Sequence, residues 1–212
     1  MKFTCTRENL NHAVDTVSPL AGRQGSLPIL DNILIEATES SVQLSSTNLE
    51  TGIKTTIRAR VEKPGSYTVP AKTLADYARL LSDEQVELTL EENELIVQCG
   101  TSKTKIKGSP AEEYPVLPDI AEGHAYVLEA VLFKNALAKV VVAVAKNEIR
   151  PELSGVFFQL GSERHKGLTM AATDSYRLAE VQIPVEQGTE EIQCILPSRV
   201  AYEMVRLLGF AK

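Results

Sequence analysis

The sequence Val69-Pro-Ala-Lys-Thr-Leu-Ala-Asp-Tyr-Ala-Arg-Leu-Leu81 recurs in altered form 127 positions later, as Leu196-Pro-Ser-Arg-Val-Ala-Tyr-Glu-Met-Val-Arg-Leu-Leu208. In both copies a proline precedes a run of apolar residues at helical spacing, and proline is tolerated in the first turn of a helix. The pair predicts equivalent helices over 71–81 and 198–208. It also indicates that the chain contains an internal repeat.

Three further matches lie upstream of this pair and keep the same order in both copies. Ser46-Thr-Asn48 matches Ala172-Thr-Asp174 at an offset of 126. Leu30-Asp-Asn-Ile-Leu-Ile35 matches Leu153-Ser-Gly-Val-Phe-Phe158 at an offset of 123. At the same offset of 123, Leu10, Val14 and Val17 match Phe133, Leu137 and Val140. The last set has the i, i+4, i+7 spacing of an amphipathic helix. Four colinear matches with a nearly constant offset predict a duplicated structural unit.

One copy is predicted to be an α+β domain in which two helices pack on antiparallel sheets. Apolar alternation and turn signals place its helices at 7–17 and 71–81, and its strands at 2–6, 30–37, 41–46, 50–61, 66–69, 85–91, 94–99 and 102–107. The proline-rich stretch 109–119 predicts an extended connector, which divides the chain into domains 1–122 and 123–212. The second domain is expected to be truncated, because the three closing strands have no counterpart.

The net charge of −6 argues against a protein that binds nucleic acid through bulk positive charge. Basic residues nevertheless concentrate on predicted helices. The helix predicted over 131–147 carries Lys134, Lys139 and Lys146 with no carboxylate, and the helix over 198–208 carries Arg199 and Arg206 with Glu203. Any contact with nucleic acid would therefore have to use a local basic surface, such as these helices provide.

Catalytic chemistry finds little support in the sequence. No nucleophile with a histidine base, phosphate-binding loop or ligand-spaced cluster is visible, so we expect a protein that is not an enzyme and needs no cofactor or metal. The histidines His12, His124 and His165 are isolated, and Cys5, Cys99 and Cys194 are predicted to be buried thiols. A hydrolase that uses an acidic loop is the least supported alternative. Without a signal peptide or a long apolar run, a cytoplasmic protein without membrane contact is expected.

Six motifs resemble the bacterial sliding clamp, the beta subunit of DNA polymerase III. They are Met1-Lys-Phe-Thr4, Leu27-Pro-Ile-Leu-Asp-Asn32, Thr68-Val-Pro-Ala71, Tyr114-Pro-Val-Leu-Pro118, Arg150-Pro-Glu-Leu-Ser-Gly155 and Ala172-Thr-Asp-Ser-Tyr-Arg-Leu-Ala179. The resemblance covers the whole chain. It implies a processivity factor built from three similar domains, two protomers of which close head to tail around double-stranded DNA. The chain would lack the third domain. The implied partners are the DNA polymerase III catalytic subunit, the clamp loader and other proteins with clamp-binding motifs.

The resemblance also implies three sets of site residues. They are a DNA-binding set of Arg23, Lys72, Arg79, Lys146, Arg150 and Arg199, a peptide-docking set of Leu153, Thr173, Ser175, Tyr176, Arg177 and Leu178, and a protomer interface of Leu74, Ala78, Lys103 and Lys105.

Each set has a simpler structural interpretation. The cations could be ordinary solvated charges, Thr173-Asp174 could cap a turn while Leu178 fills the core, and Leu74 and Ala78 could be core residues of their own helix. The lysines of strand 102–107 could protect an exposed sheet edge from aggregation. A protein-interaction module that does not encircle DNA, or an inactive clamp fragment, therefore stays open as a second function.

Overall fold

The computed structural model describes residues 1–22, 27–82, 84–118, 125–146, 150–161, 167–188 and 190–210. The chain divides into two compact units, Met1–Asp119 and Ile120–Lys212. The predicted domain boundary at residue 122 lies outside the described residues and stays a prediction.

The first unit combines two helices with two antiparallel sheets within its described residues. Its elements are β1 (Lys2–Thr6), α1 (Arg7–Val17), β2 (Asn32–Ala37), β3 (Val42–Thr47), β4 (Gly52–Ile57), β5 (Ala59–Lys63), β6 (Gly65–Pro70), α2 (Ala71–Leu80), β7 (Gln85–Glu91), β8 (Glu94–Cys99) and β9 (Ser102–Lys107). One sheet has the strand order β5-β1-β7-β8-β9 and the other β4-β3-β2-β6. Fully buried Phe3, Leu10, Leu44 and Leu88 belong to the core of this unit.

Two strand predictions for this unit are wrong in detail. The segment predicted as one strand over 50–61 forms two strands in different sheets, because β4 ends at Ile57 and β5 begins at Ala59. The apolar alternation continues through this change of sheet, so the pattern alone could not reveal it. The strand predicted over 30–37 begins only at Asn32, because Pro28–Asp31 form a short 3-10 helix with proline in its first turn.

The second unit repeats the helix and sheet arrangement of the first. Its elements are α3 (Ala130–Val140), β10 (Gly155–Leu160), β11 (Leu168–Thr173), β12 (Leu178–Ile183), β13 (Ile192–Pro197) and α4 (Ser198–Leu207). Phe133 of α3 packs edge to face on Phe158 of β10, with 6.2 Å between the ring centroids. The Glu129 carboxylate caps α3 by accepting the backbone N–H groups of Val131 and Leu132 at 2.9 and 2.6 Å.

The internal repeat predicted from the sequence is confirmed by strand order and register. The order β12-β11-β10-β13 reproduces β4-β3-β2-β6. The pairs Leu34↔Ser45 and Thr47↔Gly52 of the first sheet correspond to Phe157↔Ala171 and Thr173↔Leu178 of the second. These pairs keep the offsets of 123 and 126 found in the sequence, so the prediction of repeated α+β domains is confirmed.

The helix predicted over 131–147 is too long. The α-helical hydrogen bonding of α3 stops at Val140, and a short 3-10 helix, Val141–Ala143, follows it. Three successive β-branched valines at 140–142 lower helix propensity at this point. Lys146 therefore lies beyond the helix that was expected to carry it.

Candidate functional site

The end of the second sheet carries a turn that is held by its own side chains. Thr173 Oγ1 donates to the Arg177 carbonyl at 2.7 Å and accepts the Ser175 N–H at 3.1 Å. Asp174 Oδ1 accepts the N–H groups of Tyr176 and Arg177 at 3.1 and 3.0 Å, and its Oδ2 accepts Arg177 Nε at 3.0 Å. These bonds stabilise the left-handed backbone of Ser175, whose φ is 75°. The turn is therefore a rigid support for the side chains that it presents.

The charge of the turn is stabilised by the same contacts. The N–H of Tyr176, followed by the N–H and guanidinium of Arg177, holds the pKa of the Asp174 carboxyl below its ordinary value, against a smaller opposing effect of burial. Arg177 is consequently an ion-pair partner within the turn, and a bound peptide would have to share it with Asp174.

Two apolar side chains beside this turn face solvent. Tyr176 is 98% exposed and Leu178 is 68% exposed. The hydrogen bonds of the turn confirm the interpretation of Thr173-Asp174 as a capped turn, but the alternative in which Leu178 fills the core is wrong. Leu178 occupies the outer face of β12, because Ala179 and Val181 provide the side chains that pack on the core. Exposed apolar groups on a rigid support suit recognition of a peptide.

Leu153 lies at the same end of the second sheet. It ends a 3-10 helix, Pro151–Leu153, directly before β10, and its carbonyl accepts the Ala145 N–H at 3.0 Å. Its side chain is half-buried. The strand register puts the start of β10 beside the end of β11, so Leu153 and the turn occupy one edge of the unit.

The first repeat contains the same turn with different exposed residues. Thr47 Oγ1 donates to the Thr51 carbonyl at 2.9 Å, and Asn48 Oδ1 accepts the N–H groups of Glu50 and Thr51 at 3.1 and 2.8 Å. Leu49 has a φ of 73°, matching Ser175. Because Glu50 and Thr51 stand where the second repeat has Tyr176 and Arg177, the first turn shares the architecture without the aromatic and basic side chains.

The predicted DNA-binding residues occupy helices and loops of both units. Lys72 and Arg79 of α2 are exposed and seven residues apart, which places them on one helix face. Arg79 donates to Asp15 of α1 at 2.8 Å, and this carboxylate raises the pKa of the guanidinium. Arg199 is exposed in the first turn of α4. These side chains remain accessible to a polyanion.

The other three predicted DNA-binding residues do not lie on described α-helices. Lys146 and Arg150 are exposed outside the α-helices, whereas Arg23 lies outside the described residues. The repeat also identifies Arg206, which is not in the DNA-binding set that the resemblance implies, as the counterpart of Arg79. Arg206 donates to Glu203 at 2.7 Å and lies 5.9 Å from the Phe210 ring centroid.

The predicted protomer-interface residues separate into two groups. Leu74 and Ala78 are buried within the first unit, with exposures of 0% and 1%, so they offer no apolar area to a partner. That part of the prediction is corrected: both residues pack in the core because they lie on the inner face of α2. Lys103 and Lys105 are exposed on β9, the edge strand of its sheet, and Lys105 pairs with Glu94 at 3.0 Å. Their role in a protomer contact stays a prediction.

The structure also bears on metal binding, on the three thiols and on membrane contact. Among the described residues no group of three or more metal-binding side chains comes together, and His124 and His165 lie outside them. Cys5 and Cys99 are buried as predicted, and burial raises the pKa of the Cys5 thiol to about 12. Cys194 is exposed, contrary to the prediction, because it lies on the edge strand β13. None of the described helices has the length and apolar character needed to cross a bilayer.

Comparisons with known proteins agree with the repeated architecture. The family described as "DNA polymerase III beta subunit, N-terminal domain" matches residues 1–118, and its "central domain" matches residues 127–211. Proteins named "Beta sliding clamp" from Haemophilus influenzae and Escherichia coli are each 30% identical to the chain over 98% of its length. The chain spans 57% of the length of these relatives.

Solved structures extend the likeness to three dimensions. The DNA polymerase sliding clamp from Bacillus subtilis has a TM-score of 0.89 at 27% identity, covering 98% of this chain and 56% of that one. The sliding clamp from Caulobacter crescentus has a TM-score of 0.90 at 28% identity, covering 100% of this chain and 58% of that one. With both family descriptions matched in order along two repeated units, the chain belongs to the DNA polymerase III beta subunit family.

Proposed function

We propose that the chain acts in a DNA sliding clamp, a processivity factor that encircles double-stranded DNA and tethers the replicative polymerase to it. The observation that carries this proposal is the family membership of both repeated units, together with the relatives' name, "Beta sliding clamp". A clamp works by topology, so it needs neither a catalytic residue nor a cofactor. We accordingly propose a non-enzymatic protein of the bacterial cytoplasm, where replicating DNA lies.

The basic helices support contact with DNA by a protein whose net charge is −6. Lys72 and Arg79 of the first repeat recur as Arg199 and Arg206 of the second at an offset of 127. Cations that contact phosphates release counterions without reading the base sequence, which permits movement along any duplex. We assign Arg23, Lys72, Arg79, Lys146, Arg150 and Arg199 to this contact.

The turn at Thr173–Arg177 supports the docking of peptides from partner proteins. Its hydrogen bonds fix the backbone, while Tyr176 and Leu178 present apolar surface that an extended peptide could cover. The proposed docking residues are Leu153, Thr173, Ser175, Tyr176, Arg177 and Leu178. The proposed ligands are clamp-binding segments of the DNA polymerase III catalytic subunit, the clamp loader and other replication proteins.

The edge strand β9 supports self-association into a ring. An exposed strand edge can pair with a strand of another protomer, and Lys103 and Lys105 would restrict that pairing to a complementary partner. Ring closure is a heterologous contact, in which different surfaces of the two protomers meet. Lys103 and Lys105 would take part in this contact, whereas Leu74 and Ala78 are buried and would not.

A charge-reversal experiment tests the DNA contact. We expect Lys72→Glu with Arg199→Glu to weaken binding of a labelled duplex and to lower the slope of log K against log salt by roughly 2, since each phosphate contact contributes about 0.9. The single variant Lys107→Glu is the matched control, because it reverses a charge on the edge strand β9 and should leave the slope unchanged. Identical slopes for the double variant and wild type would contradict the assignment.

A second function, a protein-interaction module that does not encircle DNA, is favoured by one specific observation. Tyr176 and Leu178 present apolar surface on the hydrogen-bonded turn, and docking of a peptide on that surface needs no DNA. Light scattering over a range of concentrations separates the two. A mass near 23.2 kDa at all concentrations, with peptide binding but a flat DNA titration, would favour the interaction module. A closed oligomer whose mass does not vary with concentration would favour the clamp.

A further inference from the structure

In the first unit, the connector lies over the outer face of the sheet β4-β3-β2-β6. The buried Tyr114 hydroxyl donates to the Asn32 carbonyl and accepts the Thr47 N–H, both at 3.2 Å. Further along, the Leu117 carbonyl accepts a hydrogen bond from Lys54 Nζ at 3.3 Å. These contacts hold the connector on the sheet at two points.

A cavity of about 470 Å³ lies between the connector and the sheet. Its volume falls in the range of ligand pockets, roughly 300–1,000 Å³. Besides Leu34, the side chains that the sheet contributes to its lining are polar, and they belong to Glu36, Gln43, Ser45, Lys54 and Ser66. The cavity therefore has a polar floor, which suits a ligand that forms hydrogen bonds.

The strand register brings three of these polar side chains together. Gln43 of β3 lies directly opposite Glu36 of β2, and Ser45 is two residues further along β3. Opposite residues of an antiparallel pair have Cβ atoms about 4.5–5.5 Å apart, and residues two apart on a strand face the same side. Glu36, Gln43 and Ser45 thus form one group on the floor of the cavity, which we call the acceptor cluster.

The acceptor cluster contains polar groups that the protein leaves without a partner. Ser45 is 1% exposed, yet its hydroxyl makes no hydrogen bond to any other described residue. Glu36 is half-buried and forms no ion pair within the described part of the chain. Polar groups that are removed from water without a partner destabilise the fold. A ligand that donates hydrogen bonds to both side chains would remove this cost.

The cavity is rich in hydrogen-bond acceptors and has an excess of negative charge. Glu36 and Glu112 contribute two carboxylates to its lining, whereas Lys54 contributes one ammonium. This ammonium already donates to the Leu117 carbonyl. The side-chain carbonyl of Gln43 also accepts hydrogen bonds. A ligand that matches these groups is a cation with several N–H donors.

A guanidinium fits this arrangement better than an ammonium. It carries five N–H donors in one plane, so it reaches acceptors on several sides, and it is more weakly hydrated than an ammonium. Its flat faces also pack on aromatic and apolar surface. Tyr114, Pro115 and Leu117 of the connector provide such surface opposite the acceptor cluster.

We propose that this cavity binds a guanidinium group. The N–H groups of the ligand donate to the Glu36 carboxylate, the Gln43 side-chain carbonyl and the Ser45 hydroxyl, while its faces pack between the sheet and the connector. Glu112, which is exposed, lies where a second cationic group of the same ligand would be attracted. The proposal concerns the first unit alone and does not depend on the clamp function, on the basic helices or on the turn at Thr173–Arg177.

The test titrates the intact chain with agmatine, in which a guanidinium is joined by a short alkyl chain to an ammonium. Putrescine, which has an ammonium in place of the guanidinium, is the matched control ligand. In isothermal titration calorimetry agmatine should bind saturably and at least tenfold more tightly than putrescine. The backbone amide signals of β2 and β3 should shift in NMR spectra as agmatine is added. No saturable binding, or equal affinity for the two ligands, would overturn the proposal.

Two variants of the chain locate the ligand. Glu36→Gln keeps the size of the side chain and removes its charge, so it should weaken agmatine binding at least tenfold. Glu39→Gln is the matched control, because Glu39 is exposed beyond the end of β2 and should leave the affinity within about twofold. Ser45→Ala should weaken binding about three- to tenfold with the melting temperature maintained, since it removes one hydrogen bond. Unchanged agmatine affinity in both Glu36→Gln and Ser45→Ala would refute the binding mode.

A capped Gly-Arg-Gly tripeptide distinguishes two sources of the guanidinium. Binding at least as tight as that of agmatine, and sensitive to Glu36→Gln, would assign the cavity to an arginine side chain of a protein. Weaker binding of the tripeptide, with agmatine still bound, would assign it to a small molecule.

Discussion

The most informative single substitution is Tyr114→Phe, which removes one buried hydroxyl and keeps the ring. The hydroxyl donates to the Asn32 carbonyl and accepts the Thr47 N–H, both at 3.2 Å, and the Tyr114 side chain is buried. Leaving buried polar groups without partners costs roughly 1–3 kcal/mol. The two contacts are at the long end of hydrogen-bond distances, so we expect a loss of about 1–2 kcal/mol. For a unit of this size the melting temperature of the first unit should fall by roughly 4–8 °C.

Calorimetry or far-UV circular dichroism measures this fall in melting temperature. Tyr176→Phe is the matched control. The Tyr176 side chain is 98% exposed, so removing its hydroxyl should leave the melting temperature unchanged. Tyr114→Ala should cost more, about 3–5 kcal/mol, because it also removes a buried aromatic ring. If Tyr114→Phe melted together with the wild type, the hydroxyl would not hold the connector on the sheet.

The remaining predictions concern the core, the helix surface, the turn and the thiols. Leu74→Ala should destabilise the first unit by about 2–5 kcal/mol in urea unfolding without changing the mass measured by light scattering, because Leu74 is buried in its own unit. Asp15→Ala should tighten DNA binding, because it releases Arg79 from an ion pair. The slope of log K against log salt concentration should become steeper by up to about 0.9, the contribution of one phosphate contact. The Asp174 carboxyl should titrate by NMR below its ordinary pKa of 3.8, so its stabilising effect is present above that value and is lost as the pH falls through the lowered pKa. Ellman's reagent should modify Cys194 rapidly in the folded protein and the two buried thiols only after denaturation.

Regular elements could be predicted from the sequence because their periodicity is strong. Helix α1 and strands β7, β8 and β9 have the predicted bounds, since their apolar residues repeat at one period and turn residues mark both ends. The break at Arg58 was not predictable in this way. Residues on both sides alternate as strand residues, and the change of sheet depends on pairing with β1, which is distant in sequence.

The candidate site could be predicted in part. The Thr173-Asp174 pair indicated a capped turn because both side chains can accept backbone N–H groups nearby. Alternation along β12 showed that Leu178 and Ala179 face opposite sides, but it could not show which side packs on α3. Burial of Leu74 was likewise ambiguous, because an apolar helix face is the same pattern for a core and for an interface.

The proposed function requires that the protein hold DNA by encircling it. The most direct measurement loads the chain onto nicked circular DNA with a bacterial clamp loader, removes free protein by gel filtration at high salt, and compares retention before and after the DNA is cut once. We expect retention on the circle and release from the linear product, because a topological link is lost at a free end whereas salt screens ordinary phosphate contacts. Absence of retention, or equal retention on circular and linear DNA, would contradict encirclement by this chain.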